Sequence, residues 1–302
     1  MSAAPRVRTV RGDLAPCALG VTDAHDHLFL RSPALPGQEL DDVAAARDEL
    51  NAFAALGGGA LVQWTPWGMG RRRSALASLS RESGVHLVAA TGMHRAAHYD
   101  APARSLDAGA LAELFVRELT QGPVRAGLIK VAGAFHRLDA HAARTLDAAA
   151  RAHHATGAPV AVHLEGGTAG EEVLGALVDT HGVPPYRVLL GHAQRFPDRA
   201  VHRRLAARGA YLVLDGPSRA HHATDWGLFE SLAALCEAGH AERLLVGGDT
   251  VTAAARSTAD GPGAPYLLSG LRPRLARELG EETAKAVFEA NPARALGVRW
   301  LA

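Results

Sequence analysis

The chain is poor in cysteine and lysine and lacks long apolar runs, and each shortage is informative. Only two cysteines occur in 302 residues, Cys17 and Cys236. Two thiols cannot build a disulfide framework or a cysteine-based zinc site, and they fit a reducing compartment. No run of ~18 apolar residues is present, and the N-terminal MSAAPRVRTVRGDLAP has no apolar stretch of signal-peptide length. The expectation is a cytoplasmic protein without a membrane partner. Thirty-two basic residues against 31 acidic ones give a formal charge of +1, without the basic excess of a general nucleic-acid binder. Of those 32, only Lys130 and Lys285 are lysine and 30 are arginine. A GC-rich coding bias explains the preference, and it makes a lysine in an unusual place informative.

What the chain does have is alternation, with 48% hydrophobic residues to fill a core. Eight apolar runs stand out: 18–25, 60–65, 85–92, 126–132, 159–164, 187–192, 210–215 and 243–249. Segments of helical character lie between them, such as 40–56, 108–121, 138–156, 169–181, 197–208 and 222–239, with Asp139 and Asp198 as N-terminal cap signals. Continuously apolar strands that alternate with helices imply a parallel sheet covered by helices. Eight such units in about 300 residues fit a single-domain (β/α)8 TIM barrel over residues 1–302. A doubly wound sheet would carry a glycine-rich phosphate turn after its first strand, where this chain reads HDHLFL.

In such a barrel the chemistry sits at the C-terminal ends of the strands. The first run ends in His25-Asp26-His27, and residues two apart on a strand share a face, so both imidazoles can point to the axis while Asp26 points away. Lys130, His163, His192 and Asp249 end the fourth, fifth, sixth and eighth runs. A lone histidine at a strand end is more often a hydrogen-bonded core or loop residue than a ligand. Imidazoles and a carboxylate gathered at one mouth are the usual ligands of zinc and similar divalent ions. Lys130 lies inside AGLIKVAGA, where an unpaired ammonium costs on the order of several kcal/mol. It could form a salt bridge, snorkel to the mouth or serve as a Schiff-base lysine. A desolvated amine can also add CO2, and the resulting carbamate bridges metals in a way arginine cannot; the surrounding histidines favour this reading.

Over nearly its whole length the chain resembles the phosphotriesterase-related branch of the amidohydrolase superfamily. The resemblance is carried by VTDAHDHL, TPWGMGR, TGMH, GLIKVA, VHLEGGTAG, GHAQRFPD, LDGPSR, GGDT and NPARALG. It implies one divalent ion, zinc in the first instance, on His25, His27 and Asp249, and a second on His163 and His192. Carbamylated Lys130 and a hydroxide would bridge the two. Asp249 and Lys130 are then the catalytic residues, with Asp249 taking a proton as attack proceeds.

The loops after the seventh and eighth runs are similar to those of members acting on sugar lactones. That likeness implies hydrolysis of a lactone or other cyclic ester, with triester and amide hydrolysis as alternatives on the same metals. Arg219 and Arg256 remain as anion holders where phosphorylated-lactone members place further basic residues, so a neutral or carboxylate-bearing lactone is expected. His94 stands where the family often has tyrosine. With Trp64 and Asp215 it completes the candidate substrate contacts, although packing or hydrogen bonding would equally account for each. A small-molecule substrate and a homodimer are the expected partners. A catalytically inactive binding barrel and a Schiff-base aldolase are the contrasting readings.

Overall fold

A computed structural model describes residues 4–216 and 227–301. A short antiparallel hairpin, β1 (Val7–Thr9) and β2 (Gly12–Leu14), precedes the barrel. The eight apolar runs then form β3 (Val21–Asp26), β4 (Gly58–Gln63), β5 (His86–Thr91) and β6 (Leu128–Ala132). They continue as β7 (Val160–His163), β8 (Val188–Gly191), β9 (Tyr211–Asp215) and β10 (Leu244–Gly247). Neighbours in sequence pair in parallel from β3 to β10. The two ends of the sheet meet where the Asp249 N–H donates to the His25 carbonyl at 2.9 Å. Gly247 permits this seam, because a Cβ there would sit 2.5 Å from that carbonyl oxygen. The structure is therefore a nearly closed (β/α)8 barrel.

Val62, Val88, Leu128, Leu189, Val213 and Leu245 pack in one cluster with Val7 and Leu296, which fill the end of the barrel where the strands begin. The helices bury their apolar faces against the outside of the strands. Asp42, Asp107, Asp139 and Asp198 cap helices Val43–Ala55, Ala108–Thr120, Ala140–Thr156 and Arg199–Ala207, each accepting backbone N–H bonds. Such caps satisfy donors that a helix start would otherwise leave without partners. The segment expected as one helix over 169–181 is a helix at Gly170–Leu174 continued by a wider turn at Gly175–Thr180. Among the described residues, no helix is long and apolar enough to cross a membrane.

Candidate metal centre

At the strand C-termini lies a cavity of about 330 Å3. His25, His27, Lys130, His163, His192 and Asp249 all line it, so barrel closure brings together the six ligand candidates from five strand ends. The Asp249 Oδ1 stands 3.4 Å from the Nε2 of both His25 and His27, and the three donor atoms lie within 4.8 Å of one another. On the other side, the His163 and His192 rings are 4.4 Å apart. Two of the six residues sit in the left-handed region, His192 at φ +69° and Asp249 at φ +50°. Non-glycine residues there are strained, and such strain clusters at functional sites.

The hydrogen bonds behind the rings decide which nitrogens face the cavity. Thr65 donates its hydroxyl to the Phe29 carbonyl at 2.6 Å, so toward the His27 Nδ1 at 2.7 Å it acts as acceptor. His27 therefore carries its proton on Nδ1 and turns a bare Nε2 to Asp249. His192 directs Nδ1 to both oxygens of Asp215 at 2.6 Å, and His163 directs Nε2 to Glu165 at 2.8 Å. A carboxylate behind a ligating imidazole fixes its tautomer and raises its basicity. His25, His192 and Asp215 also gather closely enough to hold an ion. Asp215 does not line the cavity, however, and its carboxylate is turned toward His192.

Burial holds the His25, His163 and His192 imidazoles neutral. It lowers His25 and His192 well below the ordinary histidine range and His163 to about 4. Burial would raise the Asp249 carboxyl, but the Arg195 guanidinium against it outweighs burial and holds the group well below its usual range. Neutral imidazoles around an ionised carboxylate form a donor set suited to divalent metal. Lys130 is 2% exposed and forms no ion pair among the described residues. Burial brings its amine down from 10.5 to about 7, with Arg95 acting in the same direction and Asp249 against it.

The substrate contacts expected from sequence separate. His94 lines the cavity, with its ring 4.6 Å from that of His163. Its Nδ1 accepts the Arg95 backbone N–H at 2.7 Å, so the neutral ring carries its proton on Nε2. Trp64 does not reach the cavity. It is fully buried, its indole stacks 3.9 Å from the His25 ring, and its Nε1 donates to the Ala24 carbonyl at 2.8 Å. Asp215 is likewise buried behind His192, and Arg256 is buried with its guanidinium donating to the Leu28 carbonyl. Arg219 lies outside the described residues.

Two arginines that sequence reasoning passed over line the cavity instead. Arg95 pairs with Glu165 at 2.5 Å, and Arg195 contacts Asp249. Each directly follows or lies close to a strand-end histidine, in TGMHR and GHAQR, which is the signal that could have found them. His98 also lines the cavity, its Nδ1 2.7 Å from the Ser32 hydroxyl.

The family model for the phosphotriesterase family matches residues 5–296. A phosphotriesterase homology protein of Mycobacterium tuberculosis is 29% identical over 263 residues, covering 81% of each chain. A phospho-furanose lactonase of Mycoplasmopsis agalactiae is 30% identical over 243 residues, covering 72% of this chain and 69% of that one. The crystal structure of a lactonase from Listeria monocytogenes superposes with a TM-score of 0.89 at 28% identity, covering 96% of this chain and 98% of the other. Fold and site together define a hydrolase barrel with a candidate metal-binding centre. The chain belongs to the phosphotriesterase family, a family of binuclear metal hydrolases.

Proposed function

We propose that the protein hydrolyses an unphosphorylated lactone or related cyclic ester. His25, His27 and Asp249 would hold one divalent ion, His163 and His192 a second, and Lys130 would join them as its carbamate, with zinc as the first candidate metal. Lys130 carries this reading. An amine brought down to about 7 is in substantial part neutral near physiological pH, and the neutral form adds to the carbon of CO2 with loss of one proton. The metal pair, when bound, supplies an activated water and polarises the ester carbonyl. Asp249, kept ionised by Arg195, accepts a proton on its carboxylate and returns it to the leaving alkoxide. His94 offers its Nε2–H to a substrate oxygen.

The rest of the wall supports a neutral or carboxylate-bearing ring. Leu30, Leu35, Met69 and Val251 form its apolar part. Arg256 is committed to a backbone carbonyl, and Arg95 and Arg195, which line the cavity, already face the carboxylates of Glu165 and Asp249.

The test is a panel of neutral, carboxylated and phosphorylated lactones, aryl phosphotriesters and N-acyl compounds, ranked by kcat/KM. Unphosphorylated lactones should lead by at least about tenfold, equivalent to roughly 1.4 kcal/mol of transition-state binding. Equal rates across all lactones, or triesters in first place, would refute the substrate assignment. Purified protein should carry close to two divalent ions per chain, which Lys130→Ala should lose together with activity. A fully active, metal-free Lys130→Ala protein would overturn the metal mechanism.

A further inference from the structure

We propose that Asp26 is the positioning residue that holds together one half of the centre, the trio His25, His27 and Asp249, and leaves the His163–His192 half untouched. The inference rests on the ligand assignment proposed above. Asp26 sits between two of these residues in sequence but is buried behind the cavity and does not line it. Its Oδ1 accepts the His27 N–H at 2.7 Å and the Thr250 N–H at 2.8 Å, and its Oδ2 lies 3.3 Å from the Thr250 hydroxyl. One carboxylate thus ties the end of β3 to the chain just beyond Asp249.

Three further features show that this joint is built for position. Asp23 makes the matching bridge three residues earlier, accepting from His25 N–H at 3.1 Å and Gly248 N–H at 3.2 Å. Asp249 is therefore fixed through the residue on each side of it and through its own N–H on His25. Gly248 makes room, because a Cβ there would lie 2.5 Å from the Asp26 Oδ2. Asp249 itself keeps φ +50°, and a strained residue persists only where its surroundings over-determine it. His163 and His192, in contrast, are oriented by Glu165 and Asp215.

Removing the Asp26 carboxylate would leave two buried N–H donors without a partner and release the restraint on Asp249. The three donors of that half would separate, and the other pair would stay in place. The experiment is Co2+ titration of the metal-free full chain, followed by ion counting after chelating resin and by the cobalt visible spectrum. Wild type should hold two ions. Asp26→Ala should hold one, with the other weakened by at least about tenfold, the usual scale for outer contacts of metal ligands. Asp26→Asn retains the Oδ1 acceptor and should recover much of the lost affinity.

Should Asp26→Ala fail to fold, Thr250→Ala removes only the hydroxyl contact and should weaken the same ion alone. An Asp26→Ala protein that binds both ions as wild type does, or loses both equally, overturns the proposal. A wild-type protein that never holds two ions overturns the ligand assignment itself.

Discussion

Lys130 sets the sign of a pH response in the metal-free protein. Its amine is protonated below about 7 in the folded chain, against an ordinary value of 10.5. Between those limits the unfolded chain binds the extra proton, so folding stability rises with pH across the window. Below about 7 both states are protonated and the full burial penalty remains. Lys130→Met should therefore raise the melting temperature of metal-free protein most below pH 7, by roughly a few kcal/mol of stability, with the gain fading toward pH 10.5. Melts in chelator and CO2-free buffer check this, and a gain that grows with pH would contradict it. The residue scale is also where sequence reasoning reached least far. Trp64 and Arg256 follow strand-end motifs, but depth in the barrel depends on how neighbouring side chains pack. The indole turns beneath His25, and the guanidinium is committed to the Leu28 carbonyl.

At the scale of elements, the contact between β5 and β6 governs where Lys130 stands. Gly92, directly after β5, has φ +104°, and a Cβ there would come within 2.0 Å of the Lys130 carbonyl oxygen. Gly92→Ala must push the β6 backbone outward as well as strain its own. Gly122 provides the control, with φ +84° and open space around it. Gly122→Ala should cost about 1 kcal/mol from backbone conformation alone. Gly92→Ala should cost at least about 3 kcal/mol and lower metal content as well, as measured by denaturant unfolding and metal analysis. Equal costs for the two would show that the β5–β6 approach is not limiting. The helices follow simpler rules: Asp139 and Asp198 announced their caps in sequence because the capping side chain is local to the helix it starts.

For the whole molecule, all eight barrel strands were legible because a strand buried on both faces must be apolar throughout. The six ligand candidates were legible because each lies at or near the C-terminal end of its run, where barrel chemistry sits. The tying of β3 to the exit of β10 was not, since Asp23 and Asp26 find Gly248 and Thr250 more than 220 residues away. Only closure of the barrel reveals that pairing. The scarcity of lysine has one last consequence, a practical one. Lys130 opens into the cavity, and Lys285 stands exposed on the helix Glu281–Lys285, away from the cavity lining. A bulky amine-reactive ester should therefore label a single lysine side chain and spare activity, which peptide mapping and a rate assay would verify. Coupled to a surface through that side chain, every molecule would be held by the same point of its outer helices.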